Sequence, residues 1–378
     1  MCRCFLPIAL VIDICVYGCS GDAAESACSR VIHRALSAFS RCQVCASDHP
    51  SMLMHGCLAF GKDWRVAASM GSHRKMSGVE ALLSHGTRMG APILICRGAR
   101  LLLGQSSAGK PYEVHNGQLA FVLTQIGLPG EEVILATSDR TFNLVDLVEL
   151  SMKRCREDEG LAWTVPAVVS LKGLDTQWMN DQGTPMSVPG LTDVMMRSSL
   201  GDSPCGGTHT LYALAFIYQQ DQKEQTLPGE LRMRLAEFLN SCLVRAKQQQ
   251  NSDGSFTLAW TTRKRSESFH GETVLASGHM LEWISMYCSH ETLREPWCVR
   301  LATSVAKAVR EECNNAARIG TRPRRRRMSR KVYAWCAHAV RGLRLYLDGV
   351  RLPDEHMREL QHVPEHKALH SSIPKNRP

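Results

Sequence analysis

Four histidines recur in similar apolar surroundings along the chain. They read His115-Asn-Gly117-Gln-Leu119, His209-Thr-Leu211-Tyr-Ala-Leu214, His279-Met-Leu281-Glu-Trp283 and His338-Ala-Val340-Arg-Gly-Leu343. Glycine accompanies the first three, at Gly117, Gly206 with Gly207, and Gly278. Imidazole takes or gives a proton near neutral pH without any tuning. The four motifs read as helix heads, and a helix N-terminus adds partial positive charge and unpaired N–H groups. Gathered at one mouth, such heads favour an anionic or carbonyl-bearing ligand. His209 and His279 are the catalytic candidates, with Glu272 just upstream of His279, if the stretch between them is a loop folded back. A carboxylate–imidazole pair suits hydrolysis, lyase chemistry or sugar binding. Glu282 and Asp202 are further acid/base candidates. His115, Trp163, Trp283 and His338 are the candidates for lining a ligand cavity. Each histidine serves equally well as a hydrogen-bonded packing residue, and spacing alone does not separate the two roles.

Other chemistry finds less support. Cys205-x-x-x-His209 offers two metal ligands without a third, and Cys42-Gln-Val-Cys45 has no second CxxC, so no metal is expected. The remaining cysteines, scattered among 16, read as buried thiols. Gly104 to Lys110 has the glycines and lysine of a phosphate loop, but Pro111 stands where a Ser or Thr should start the helix. No cofactor follows from the sequence. The net charge is +9, with seven basic residues packed between Arg322 and Lys331. The basicity is local, reads as a solvated loop, and gives no reason to expect a nucleic-acid partner.

The elements that must position these residues are helical. Apolar periodicity predicts helices over Ala24–Phe39, Phe142–Cys155, Leu161–Leu171, Leu211–Gln220, Leu227–Gln249, Met280–Cys288, Pro296–Cys313 and Tyr333–Leu347. Two short apolar runs between Ile93 and Leu103 predict a small irregular or β-hairpin insertion near residues 90–112. Residues 175–190 read as a loop. The class is all-α, built from helical hairpins that stack because no pair buries its apolar face alone. Residues 1–19 read as a leader whose apolar core is too short to span a bilayer. It ends in Gly18-Cys19, which resembles a bacterial lipobox with Cys19 as the lipidated residue. The expected organisation is leader 1–19, helical domain 20–352 and a mostly disordered tail over 353–378. The expected location is periplasmic or membrane-anchored, with a cytoplasmic protein as the alternative.

Gln250-Asn-Ser-Asp253-Gly254-Ser-Phe256 is similar to the QW-type turn of squalene and oxidosqualene cyclases, with Phe256 in the aromatic place. Through it and the histidine-headed repeats, the chain resembles the α/α-toroid superfamily of terpenoid cyclases and protein prenyltransferases. Cys205-Gly-Gly-Thr-His209, Gly278-His279 through Trp283, Leu293 through Trp297, and His338 through Tyr346 resemble a family of bacterial exported toroid proteins. The resemblance implies a toroid of helical hairpins. It does not imply the reactions: the D-x-D-D acid and the D-D-x-x-D magnesium motif are absent, and the one D-x-C is Asp13-Ile-Cys15 in the leader. The expectation is an exported toroid that binds or processes a polyprenyl or carbohydrate ligand in a central cavity. The alternative is a non-catalytic envelope scaffold or interaction protein anchored through Cys19. Whether the chain is an enzyme stays open at this point.

Overall fold

The structure is a computed structural model describing residues 21–84, 92–105, 112–113, 115–261, 270–319 and 327–351. The leader with Cys19, the tail 353–378, Gly109 with Lys110, and Arg322 to Arg326 of the basic run lie outside the described residues.

The described chain is mostly helical. Its α-helices are α1 (Gly21–Ser40), α2 (Pro50–Phe60), α3 (Gly78–Leu83), α4 (Gln118–Gln125), α5 (Leu144–Lys153), α6 (Leu161–Lys172) and α7 (Val188–Arg197). They continue as α8 (Thr208–Glu224), α9 (Gly229–Gln249), α10 (His270–Tyr287), α11 (His290–Arg294), α12 (Pro296–Ile319) and α13 (Arg330–Arg351). Helix α12 shows why: Cys298, Leu301, Ala302, Val305, Ala306, Val309 and Cys313 are buried at helical spacing, while Arg300, Lys307 and Glu311 between them are exposed. Starts are marked chemically. Asn143 and Asp146 form a reciprocal capping box on α5, and the Ser187 hydroxyl accepts from Gly190 N–H at the head of α7.

Four two-stranded antiparallel ribbons interrupt the helices: β1 (Arg65–Ala67) with β2 (Lys75–Ser77), β3 (Leu94–Arg97) with β4 (Arg100–Leu103), β5 (Val133–Ala136) with β6 (Thr141–Asn143), and β7 (Gln177–Met179) with β8 (Pro185–Ser187). The β3–β4 ribbon is the insertion read from the sequence. The region 175–190 holds the β7–β8 ribbon and the first turn of α7 instead of a loop. The first, third and fourth ribbons each tuck one central side chain of the second strand into the core, at Met76, Phe142 and Met186, and end directly on a helix cap.

Six helices touch in cyclic order: α2 contacts α4, α4 contacts α6, α6 contacts α8, α8 contacts α10, α10 contacts α13, and α13 returns to α2. The other long helices back them: α5 packs on α4 and α6, α7 on α6 and α8, α9 on α8, and α12 on α10 and α13. Helix α1 packs on α12 and α13, so the first and last described helices meet. At that seam the Arg344 guanidinium donates to the Ala59 carbonyl at 2.6 Å. No described helix is long and apolar enough to cross a membrane.

Two helices start earlier than their apolar pattern indicates. Helix α10 begins at His270 and α13 at Arg330, so His279 and His338 are mid-helix residues and head nothing. Gly278 has a different job from a helix start. A Cβ there would lie 2.8 Å from the Ala339 Cα, and one on Gly342 would lie 3.0 Å from the Gly278 carbonyl oxygen. Small residues let α10 and α13 approach backbone to backbone.

Candidate functional site

That close crossing brings His279 and His338 together, with ring centroids 4.1 Å apart. The head of α8 delivers a third ring. Gly207, left-handed at φ 77, caps α8 where a Cβ would strike Leu200. His209 therefore enters in the first turn, 4.5 Å from His279 and 5.3 Å from His338. His115 precedes α4 and stacks on Trp163 in the first turn of α6, at 3.8 Å and 7°. Trp163 in turn lies 4.7 Å from His209. The four sequence-selected histidines and Trp163 thus form one continuous cluster, fed by two helix starts, one helix approach and two helix middles.

A fifth imidazole belongs to it. His55, in the middle of α2, lies 5.1 Å from His338. The segment from His55 to Trp64 resembles an upstream part of the same exported-family pattern, and Gly56 packs so closely on Trp64 that a Cβ would lie 2.1 Å from its ring; the apolar run around His55 kept it off the list of site candidates.

Each mid-helix ring is held by one nitrogen. His279 Nδ1 is 2.7 Å from the Leu275 carbonyl, and His55 Nδ1 is 2.5 Å from the Ser51 carbonyl. A carbonyl only accepts, so both rings carry their proton on Nδ1. His338 Nδ1 is 2.9 Å from a Glu282 carboxyl oxygen. Nε2 is then the basic lone pair on His55 and His279. On His279 that atom is buried and has no hydrogen-bond partner. An unpaired polar atom of this kind costs about 1–3 kcal/mol.

Burial keeps the rings neutral. It pulls His279 down to about 3, and the neighbouring His338 adds to that. His115 falls to about 4, chiefly by burial. His209 and His338 are held well below the ordinary imidazole value by burial and by neighbouring imidazoles, with Arg341 adding to the effect on His338. His55 is also lowered by burial. Burial raises Glu282 against the opposing pull of Arg341, whose Nη1 is 3.5 Å away. Close to His115, Glu113 accepts from Leu119 N–H at 2.7 Å at the head of α4, and burial pushes its carboxyl up to about 7.

Below the rings the centre is filled. Arg341 Nη2 donates to Gln125 Oε1 at 3.0 Å and to the Tyr212 hydroxyl, and Tyr212 donates to Gln125 at 2.6 Å. This floor of Gln125, Tyr212, Glu282 and Arg341 joins α4, α8, α10 and α13. Of it, the sequence singled out only Glu282.

Two sequence candidates sit elsewhere. The Trp283 side chain is fully buried, with Nε1 on the Met280 sulfur at 3.4 Å, and packs in the core without lining the cluster. Glu272 lies in the first turn of α10, so the stretch to His279 is helix and not a loop folded back. Two turns, about 11 Å of helix, separate the two residues on one face, and Glu272 Oε1 accepts from Leu258 N–H at 3.3 Å. Trp178, in β7, donates to the Met152 carbonyl at 2.9 Å. Within the Gln250 turn itself, the Gln250 amide donates to the Gly254 and Trp297 carbonyls at 3.1 and 2.9 Å, over a fully buried Phe256.

Cys205 completes the surroundings of His209. It is one of two non-glycine residues with positive φ among those described, at 54°, followed by Gly206 at 65° and Gly207 at 77°. Its Sγ and one ring nitrogen each of His209 and His279 lie within 4.8 Å of one another; so do ligand atoms of His279, Glu282 and His338. No protein-family model matches the chain, and no curated protein or solved structure matches it either.

Proposed function

We propose that the chain is an exported α/α toroid of the terpenoid-cyclase and prenyltransferase type, whose axial centre binds and processes a carbohydrate ligand at the histidine cluster. The cyclic contacts of α2, α4, α6, α8, α10 and α13, backed by outer helices, support the toroid. The observation that carries the ligand reading is the lining. Five imidazoles gather in one cluster with Trp163 beside them, over the already paired layer of Glu282, Arg341 and Tyr212. Hydroxyl-rich ligands answer such groups bond for bond. A polyprenyl chain offers no partner to His279 Nε2 and would leave it unpaired.

The chemistry such a centre supports is proton transfer. His338, with Nδ1 against Glu282, has the carboxylate–imidazole arrangement that orients a general base. The non-catalytic, Cys19-anchored scaffold has one observation in its favour, the filled floor of Gln125, Tyr212 and Arg341.

Ligand-induced thermal stabilisation tests the reading. Neutral and acidic oligosaccharides and polyprenyl phosphates are screened in the presence of chelator against the full chain and its His209→Ala variant. The expected result is a shift of several degrees with an oligosaccharide, lost in His209→Ala. A shift with polyprenyl phosphates alone, or no oligosaccharide response, overturns it.

A further inference from the structure

The geometry points to a transition-metal site, best suited to zinc, formed by Cys205, His209 and His279 with a fourth position open toward His338. The inference shares residues with the carbohydrate reading and does not depend on it.

The donor set has the chemistry. One thiol and two imidazoles are the ligands that zinc prefers, and three protein ligands plus an open position is the form of catalytic zinc sites. Their donor atoms lie within 4.8 Å of one another. A tetrahedral site with bonds of about 2.0–2.3 Å needs donors about 3.3–3.8 Å apart. Cys205 and His209 are half-buried, and modest side-chain rotation closes the difference.

His279 Nε2 is the second, independent observation. The ring is 2 % exposed, its Nδ1–H is fixed on the Leu275 carbonyl, and its Nε2 lone pair is sealed inside the protein with nothing to accept. That arrangement costs free energy in the empty protein and is the one a metal uses: a neutral ring oriented through its other nitrogen. The carboxyl of Glu282 is better engaged as an orienting partner than as a ligand. It meets His338 Nδ1 at 2.9 Å and Arg341 at 3.5 Å. His338, with its ring 4.1 Å from that of His279 and 5.3 Å from that of His209, would stand beside the metal as a proton acceptor.

The backbone fits the same reading. Cysteine gains nothing from a left-handed conformation, yet Cys205 adopts one immediately before two left-handed glycines. A Cβ on Gly206 would lie 2.6 Å from the Leu258 carbonyl oxygen, so the turn is pressed against its neighbour. The result is a thiol held one turn from His209. On binding, the Cys205 S–H bond breaks, an S–metal bond forms and the proton goes to solvent.

The test is titration of chelator-stripped full-length protein with Co²⁺ and then Zn²⁺, without organic ligand. The expected result is one Co²⁺ per chain, with tetrahedral d–d bands and a thiolate-to-cobalt charge-transfer band, displaced stoichiometrically by Zn²⁺. Cys205→Ser removes the charge-transfer band. His279→Gln lowers affinity by at least the ten- to hundredfold that is typical of weakening a metal site, about 10–100. Circular dichroism confirms that each variant is folded; if His279→Gln is not, His209→Gln, at a half-buried position, takes its place with the same expected loss. No saturable binding, or binding with no thiolate band and unchanged affinity in these variants, overturns the proposal. Metal binding without any oligosaccharide response leaves this inference standing and sinks the carbohydrate reading. The reverse result sinks only the metal.

Discussion

Gly278 and Ala339 touch backbone to backbone: a Cβ added to Gly278 would lie 2.8 Å from both the Cα and the Cβ of Ala339. The rings on the adjoining residues, His279 and His338, are 4.1 Å apart because of that contact. Gly278→Ala must push α10 away from α13. The expected cost is about 1–3 kcal/mol, read as a lower denaturant midpoint with an unchanged slope. An unchanged midpoint would mean that the two helices are not held this closely.

The buried ion pair should behave as a unit. Glu282 and Arg341 are 3 % and 8 % exposed. Arg341→Met leaves the Glu282 carboxyl without its cation and should destabilise by about 3–5 kcal/mol. Adding Glu282→Gln to Arg341→Met should recover part of that loss, because the stranded charge is gone. Equilibrium unfolding of the two singles and the double gives the coupling; strictly additive effects would contradict a shared role.

Neutral buried histidines make the metal-free protein sensitive to acid. His279 and His115 have folded-state values of about 3 and about 4, below the ordinary 6.5. The unfolded chain therefore binds protons that the folded chain refuses. The histidine contribution to stability should fall as pH drops through 6.5 toward 4, partly offset by Glu113, whose raised carboxyl acts in the opposite direction. Each such histidine steepens the fall by up to about 1.4 kcal/mol per pH unit. Denaturant midpoints measured at pH 7.5, 6 and 5 in chelator check this. The slope should be shallower in His279→Gln, and equal slopes would remove His279 from the account.

The Gln250 turn is expected to be structural. Gln250→Ala removes two donor contacts, to the Gly254 and Trp297 carbonyls, and should cost about 1–3 kcal/mol. Cobalt binding at the histidine cluster should be unaffected. A variant of normal stability with altered metal or ligand binding would assign the turn a role in the site.

The sequence disclosed what local chemistry marks. Helical periodicity announced most of the long helices, and Gly117 and Gly207 marked true helix starts beside His115 and His209. Gly278 was misread for a physical reason. A glycine that caps a helix and a glycine that admits a neighbouring backbone look alike in sequence, and only the packing of Ala339 tells them apart. The β1–β2 and β7–β8 ribbons escaped because three-residue strands with a single inward side chain are too short for alternation to register. His55 was masked by the unbroken apolar run of α2. The third donor beside Cys205 and His209 comes from another helix, and no spacing rule reaches that far.

The seam between α2 and α13, closed by Arg344 on Ala59, sets an order of events during synthesis. Helices α1 and α2 are made well before their partners α12 and α13. Until then α2 has only its early neighbours α3 and α4, and the face of α1 that meets α12 waits for its partner. Contacts this distant in sequence make folding slow to start, because the long loop must close before the seam can reward it.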